Sequence, residues 1–478
     1  MLNAQTTNFK SFKYNLDTKK IELHYLVDQY PVIHFLDLKQ VDGIQYTDKL
    51  DSYIFLCGMA IYPFIFSKYN PNKIQVSAGN LNKDQLRYWK KWYLKGLGEY
   101  FYLNNLPHKI NLEVFPNSKI IKADNLKLSN KVLLLNGGGK DSCVSAEILH
   151  KSNIEFEWMM IGYSNSQRGV LEVSPSKVKN IILSYQRFMV PENYKTFRGH
   201  KPFTLYTSSV AVLVSALKRI KYIFLSNEKS ANFGNLNVGN IEINHQWTKS
   251  LEFERMYSKY LNMYVNPELS YSSILKPLYE LQIAKIFSKF PKYHSSFVSC
   301  NRTGTKSWCC KCSKCAFIFL AMYPFIDRKS VIRIFNNDLL DNMDNKLLFQ
   351  QLIGEKDSKP FECVGTIEEN RIAMILSLRK KEEKSKLLKD FNNRFKIDKS
   401  PREINNFLIQ YTEDNNIPYE LKNKLRYNTL ALLGYEQKSE IIEGFSKQEN
   451  KDRFLYINFL LLIIVIALYY LKKNNCLI

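Results

Sequence analysis

Glycine and proline are scarce, at 18 and 15 of 478 residues. That excludes collagen-like repeats and a chain dominated by flexible low-complexity linkers. No self-similarity recurs at solenoid periods. Residues 1–15 contain no apolar core of secretory length, so the body of the protein is expected to stay in the cytoplasm. Acidic residues are the minority, 45 against 68 Lys and Arg, for a net charge of +23. A basic balance of that size invites nucleic-acid or anionic-membrane binding. Lysine far outnumbers arginine, however, and Asn, Ile, Tyr and Phe are heavily used, the pattern that an AT-rich genome produces. The charge is spread along the chain, and its longest basic run, Arg379 to Lys381, is broken at once by Glu382 and Glu383. Solvated helix faces account for it better than a nucleic-acid stripe does.

What is present points to a large globular protein of two or three domains, with 45% apolar and 14% aromatic residues. Residues 1–130 read as an α+β module, with strands expected at 21–27, 32–36 and 53–66 and an aromatic-rich helix at 83–102. From residue 131 the pattern becomes strand, glycine turn, helix, strand, at 132–135, 136–139, 140–151 and 156–161. That opens a doubly wound α/β domain with a parallel sheet, over residues 131–325. A helix at 207–218 and a buried strand at 222–226 continue it. Ligands of such sheets lie beyond the carboxyl ends of the strands, so segments 136–142 and 226–235 are expected to face one cleft. A lysine-rich helical region follows at 326–436, then a polar tether at 437–453. Residues 454–471 form an apolar stretch interrupted only by Asn458 and flanked by Arg453, Lys472 and Lys473. Its length suits a transmembrane helix and a tail-anchored protein on the cytoplasmic face of a membrane, the alternative being a buried terminal element.

The run Asn136-Gly137-Gly138-Gly139-Lys140-Asp141-Ser142 ends a strand and opens a helix. It gathers unpaired backbone N–H groups at a positive helix end, where phosphate is the natural occupant. The three glycines carry no Cβ to block a close approach. Ser142 can donate to a phosphate oxygen, Lys140 supplies charge, and Asp141 can position Mg²⁺ or the loop itself. The motif is not the G-x-x-x-x-G-K-[ST] loop of kinases and GTPases. It resembles the S-G-G-x-D-S loop of the ATP pyrophosphatase superfamily, with Asn136 in place of serine. The resemblance implies cleavage of ATP between its α- and β-phosphates.

Further stretches narrow the resemblance: 88–103, 226–235, 242–254, Ser299-Cys300-Asn301 with 308–317, and 359–365. Together they resemble the UDP-N-acetylmuramoyl-L-alanyl-L-glutamate epimerase family over roughly residues 80 to 370; the apolar tail is outside that pattern. The resemblance implies an ATP-dependent, AMP-forming enzyme that activates a terminal L-glutamate of a peptidoglycan precursor and inverts it. The chemistry accounts for activation, because a free carboxylate is too poor an electron sink for its Cα proton to leave near neutral pH. Attack of that carboxylate on the α-phosphorus gives an acyl-adenylate whose carbonyl accepts enolate charge.

On that reading Asn136, Gly137, Gly138, Gly139 and Ser142 hold phosphates, Asp141 binds Mg²⁺ and Lys140 adds electrostatic support. Glu228, Asn232 and Asn235, after a strand end, are candidates for substrate or metal contact, or else members of a capped loop. His245 is a candidate base or substrate ligand, or else a structural histidine, Lys249 a catalytic cation that alternatively pairs with Glu252, and Cys363 an acid/base or a half-buried thiol. Cys300, Cys309, Cys312 and Cys315 have the spacing of a structural Zn²⁺ site, resembling the 7-cyano-7-deazaguanine synthase branch, or form a metal-free thiol cluster. Cys310 falls where glycine is common, and is either a spare thiol or a sign of a different loop. Two other functions stay open: adenylation of a nucleobase in tRNA or deazaguanine modification, and non-catalytic nucleotide binding.

Overall fold

The computed structural model describes residues 2–435 except 16, 46–48, 116–117, 198, 301, 303–306, 357–359 and 396–397. The chain divides into two units, Met1–Thr429 and Leu430–Ile478, and the fold below is that of the first. Among the described residues no helix is long and apolar enough to cross a membrane. The apolar stretch 454–471 and its tether at 437–453 lie outside the described residues.

The strands are β1 (Thr6–Asn15), β2 (Lys20–Val27), β3 (Tyr30–Gln40), β4 (Lys73–Val76), β5 (Leu112–Val114), β6 (Ser129–Leu135), β7 (Glu157–Ile161), β8 (Lys179–Phe188), β9 (Ile220–Leu225), β10 (Leu236–Val238), β11 (Ile241–Ile243) and β12 (Ser270–Ser273). Ten of them form one sheet in the order β12-β9-β6-β7-β8-β3-β2-β1-β4-β5, and β10 and β11 form a separate hairpin. The five strands from β12 to β8 are mutually parallel, with order reversal beside β6, as in doubly wound folds. β8 then pairs antiparallel with β3, Val32 opposite Phe188. Through that pairing the meander β1–β3 extends the same sheet across residue 130.

The helices are α1 (Asp51–Tyr69), α2 (Lys83–Gly96), α3 (Gly98–Leu103), α4 (Lys140–Lys151), α5 (Asn165–Val173), α6 (Phe203–Lys218), α7 (Leu251–Tyr264), α8 (Glu280–Phe287) and α9 (Ser313–Met322). Beyond them lie α10 (Arg328–Phe335), α11 (Lys346–Leu352), α12 (Ile367–Arg379), α13 (Lys386–Arg394), α14 (Pro401–Ile409) and α15 (Tyr419–Leu433), the helical carboxyl region that the sequence indicated. The strand expected at 53–66 is instead the middle of α1. Its run of apolar residues is buried nearly all round, and a helix sunk in a core shows no 3.6-residue period to betray it. At Gly58 a Cβ would lie 2.0 Å from the Phe9 ring, so glycine is what lets β1 meet this helix.

Two aromatic clusters place the elements that matter below. Trp89 and Trp92 on α2 pack against Phe253, Tyr257 and Tyr260 on α7, and Trp89 Nε1 donates to the Tyr260 hydroxyl at 3.0 Å. Such pairs combine large buried area with edge-to-face geometry. On β3, His34 is 2% exposed, with Nε2 3.0 Å from the Tyr206 hydroxyl and 3.2 Å from Ser184 Oγ.

Burial lowers the pKa of His34 from 6.5 to about 3. The unfolded chain therefore takes up a proton that the folded chain refuses until about pH 3, so stability is complete above pH 6.5 and falls as pH drops through that window. His34→Gln is expected to remove about 2 kcal/mol of the loss between pH 6.5 and 5. Thermal unfolding of both proteins across that range measures it, and equal slopes would refute the assignment.

Candidate active site

The parallel strands β6, β7 and β9 end at a cavity of about 370 Å³ whose walls include Asn136, Gly137, Gly139, Asp141, Ser142, Ser226 and Asn227. The two segments expected to share a cleft do so. The loop between β6 and α4 is shaped by its own polar atoms. Asn136 Oδ1 accepts from the Gly138 N–H at 2.7 Å, and Ser142 Oγ accepts from the Gly137 N–H at 3.0 Å. Asn136 and Gln167 exchange side-chain to main-chain hydrogen bonds of 3.2 and 2.9 Å, tying the loop to α5. Gly138 sits at φ +75°, and a Cβ there would lie 2.4 Å from Ser166 Oγ, so glycine is required for both backbone and space. No side chain caps the N-terminus of α4. Its end N–H groups and positive dipole are free for an anion at the cavity.

Lys140 has a different place from the one its sequence position suggested. It is 1% exposed and is held by Asp141 and by Glu280 of α8. Burial works against its charge, but the two carboxylates outweigh that and raise its pKa. It does not line the cavity, and the cations that do are Lys249 and Lys314. Asp141 remains at the cavity. Burial pushes its carboxyl up, Lys140 and Lys314 pull it down further, and the net direction is downward. Carboxylate oxygens of Asp141, Glu228 and Glu280 lie within 4.8 Å of one another. Glu228 and Glu280 are buried, so Asp141 alone of the three reaches the cavity. One carboxylate beside bound phosphates is a set that suits Mg²⁺.

Asn232 and Asn235 are engaged elsewhere. Asn232 Oδ1 accepts from the Leu251 N–H at 2.8 Å, and Asn235 joins the His245 N–H to the Pro360 carbonyl at 3.0 Å each. They brace the loops around the site and do not line the cavity, the capped-loop alternative for these two residues.

Cys363 lines the same cavity, beside Lys249. Lys249 Nζ donates to Cys363 Sγ at 3.4 Å, so it does not pair with Glu252, which is engaged by Lys91 and Trp247. His245 is hydrogen-bonded through Nδ1 to Glu99 of α3, and its charge is favoured by the nearby Cys363 thiolate. His200 packs on the His245 ring with centroids 4.3 Å apart. Burial, then His245 and Lys249, lower His200 to about 3, so it stays neutral. Burial also opposes charge on His245, yet Cys363 and Glu99 raise it to about 9. For Cys363 burial favours the thiol, but Lys249, His245 and Lys314 outweigh it and bring the group down to about 6. The result is a thiolate between two cations, one of them backed by a carboxylate. Glu99, Lys314 and Glu280 escaped the sequence reading. A single carboxylate within Gly98-Glu99-Tyr100-Phe101, an otherwise apolar run, is the sequence signal that marks the first.

Cys300, Cys309, Cys312 and Cys315 place their sulfurs within 4.8 Å of one another. Two of the separations are 3.8 Å (Cys309–Cys315) and 3.4 Å (Cys312–Cys315). Tetrahedral zinc with Zn–S bonds of about 2.3 Å implies sulfur separations of about 3.8 Å, so the group fits zinc. Cys310 is the spare thiol. It has φ +56° and turns its Sγ to the Phe335 carbonyl at 3.4 Å.

Residues 2–274 match the MurL N-terminal domain and residues 296–403 the MurL C-terminal domain. The chain belongs to the MurL family. Within this family it is 33% identical over 374 residues to the UDP-N-acetyl-alpha-D-muramoyl-L-alanyl-L-glutamate epimerase of Xanthomonas oryzae pv. oryzae (strain MAFF 311018), a match covering 75% of this chain and 82% of the relative. It is 36% identical over 299 residues to the protein of the same name from Micromonospora sp. (strain ATCC 39149 / NRRL 15099 / SCC 1413), covering 59% and 65%. No solved structure matches this MurL-family chain at a significant level. The glycine loop lies within the first MurL match and Cys363 within the second, so the cavity is built from both parts of the family pattern.

Alkylation of Cys363 by iodoacetamide, followed by peptide mass mapping, is expected to rise with a midpoint near pH 6 in place of the usual 9. In Lys249→Met that midpoint should move upward, because the cation that most favours the thiolate is gone. An unshifted midpoint would sink the description of a cation-held thiolate.

Proposed function

We propose that the chain is an ATP-dependent epimerase. It activates the terminal L-glutamate of UDP-N-acetylmuramoyl-L-alanyl-L-glutamate and inverts its α-carbon to the D configuration for peptidoglycan synthesis. Membership of the MurL family and the names of its relatives support the substrate and the inversion. The observation that carries the reading is one cavity lined both by an anion-binding loop and by Lys249 and Cys363, with His245 behind them.

ATP enters as a second substrate. Asn136 shapes the loop with the Gly137 and Gly138 N–H groups bonded within it, while the Gly139 N–H, the Ser142 hydroxyl and the α4 N-terminus hold its phosphates. Ser142 accepts from Gly137 and so keeps its own hydrogen to donate. This loop and the parallel order of its sheet favour placement in the ATP pyrophosphatase superfamily. Asp141 would hold Mg²⁺, which supplies charge neutralisation for the phosphates. Lys140 acts through Asp141, fixing its carboxylate from below. Glu228, buried near Asp141 and Lys249, adds negative potential without touching the cavity. Lys249 and Lys314 are placed to receive the substrate carboxylate before activation. Once the carboxylate is esterified to AMP, His245, Lys249 and Cys363 are the groups available for removing and returning the Cα proton. A zinc ion on Cys300, Cys309, Cys312 and Cys315 would serve structure, because neighbouring Ser299 and Lys314 both line the cavity.

Incubation with ATP, Mg²⁺ and the L-glutamyl substrate should give AMP and D-glutamate on chiral analysis. Asp141→Asn is expected to cut AMP formation by at least about 100-fold while circular dichroism stays unchanged. AMP formation in the variant at the wild-type rate would remove the Asp141 assignment, and absence of inversion in the wild type would remove the function.

Elemental analysis of purified protein should find about one zinc per chain. Cys312→Ser should lower both the zinc content and the thermal midpoint, and well under one equivalent in the wild type rejects the metal.

A further inference from the structure

We propose that Cys363 is a nucleophile that carries the glutamyl group as a thioester during inversion. The inference rests on the adenylating epimerase proposed above and assigns one member of its cluster a different task.

The surroundings of the sulfur decide between base and nucleophile. Lys249 Nζ lies 3.4 Å from Sγ, and His245, held through Nδ1 by Glu99, is the second cation coupled to it. This carboxylate–imidazole–thiol order is the arrangement that makes thiolates attack acyl carbons. The main chain is fixed as firmly as the sulfur. Lys314 Nζ donates to the Cys363 carbonyl at 2.6 Å, Glu362 accepts from the Lys314 N–H at 2.9 Å, and Asn235 holds the Pro360 carbonyl. Two flanking cations make a poor base. Taking a thiol from 9.0 to about 6 lowers its proton affinity about 1,000-fold. Nucleophilicity falls only about 15- to 30-fold over the same interval, while the thiolate fraction at pH 7 rises from about 1% to about 90%. What makes Cys363 unfit to pull a carbon-bound proton leaves it well suited to attack, and to depart afterwards.

The step balances with ATP and water as the other reactants. Cys363 Sγ attacks the carbonyl carbon of the acyl-adenylate, the C–S bond forms, and the bond from that carbon to the phosphate oxygen breaks, AMP leaving with the electron pair. The thioester carbonyl then takes up enolate charge as the Cα proton leaves and one returns on the opposite face. Once the thiolate is consumed His245 releases its proton to solvent, the neutral imidazole takes the Cα proton, and Lys249 returns its own to the opposite face. Water finally adds to the carbonyl, gives a proton to Lys249, and expels the Cys363 thiolate between its two cations, both charged again. Glu99 is a positioning residue that holds His245 by Nδ1.

The experiment compares wild type with Cys363→Ala and Cys363→Ser in substrate-dependent exchange of labelled pyrophosphate into ATP, AMP release and glutamate configuration. Wild type quenched in acid is also analysed by mass. We expect both variants to keep exchange within about threefold, and AMP release and inversion to fall together by at least about 100-fold. The quenched wild type should carry the substrate mass less one water on the Cys363 peptide, removable by neutral hydroxylamine. If the variants release AMP at the wild-type rate but leave L-glutamate unchanged, the thiol is only a base and the proposal fails. Loss of exchange in both variants also overturns it, since the thiol would then act before acyl transfer, and so does an inverting wild type without adduct. Absence of exchange in the wild type would instead refute the adenylation on which this inference stands.

Discussion

A buried chain of polar contacts joins the glycine loop to the loop that carries Cys363, and the site's geometry depends on it. Lys140, at the start of α4, is clasped by Asp141 and Glu280. The Glu280 N–H donates to Ser230 Oγ at 3.2 Å, and Ser230 in turn donates to Glu369 at 2.8 Å. Glu369 also accepts from the Leu281 N–H at 3.1 Å and closes a capping box with Thr366, three residues beyond Cys363. Glu280 and Glu369 are each 1% exposed. Burial is the main influence that raises the proton affinity of both. Charges so deeply placed are costly unless every partner is met, so the network tolerates little displacement of either loop. The carboxyl helices therefore help to hold the catalytic end of the sheet.

The same constraint acts across the junction at residue 130. Glu99 belongs to the amino-terminal module, yet its partner is His245, far along the chain. The contact is possible because α2 packs its tryptophans on α7 and carries α3 toward the segment that precedes that helix. The shared sheet then fixes the remaining freedom, since β3 cannot leave β8 without exposing a ladder of backbone groups. The amino-terminal module thus contributes one side chain to the His245 cluster and the scaffold that aims it.

Local chemistry was legible in the sequence, and partnership was not. Strand, glycine turn and helix from residue 132 to 151 follow from residue preference and an anion-binding turn, signals confined to a short window. Four cysteines in Cys300-x₈-Cys309-x₂-Cys312-x₂-Cys315 converge because the last three are so closely spaced that only Cys300 must be brought in from farther along the loop. Lys140 was misjudged because a lysine beside a phosphate loop invites the nearer use of its charge. Its true partner, Glu280, stands 140 residues away, and no local pattern marks it. Likewise, residues 53–66 read as strand because β-branched and aromatic residues dominate them, whereas tertiary burial chose helix. Asn232 and Asn235 were drawn toward the cavity by their place after a strand end, a position from which side chains serve loops as readily as ligands.

Position along the cysteine loop explains why a structural metal would matter to catalysis at a distance. Ser299 precedes Cys300 and Lys314 precedes Cys315, and both line the cavity. Ser299 Oγ would lie 3.1 Å from a Cβ on Gly139, so the cysteine loop already abuts the phosphate turn. Lys314 joins three functions in one residue: its N–H meets Glu362, its Nζ holds the Cys363 carbonyl, and its charge favours ionised Asp141 and Cys363. A lysine gains that reach only if its own Cα is immobile. A zinc ion on the sulfurs gathered on either side of it would supply the restraint, because a tetrahedral centre fixes each thiolate within a fraction of an ångström. Loaded in that way, the cluster would set where Lys314 stands at the cavity.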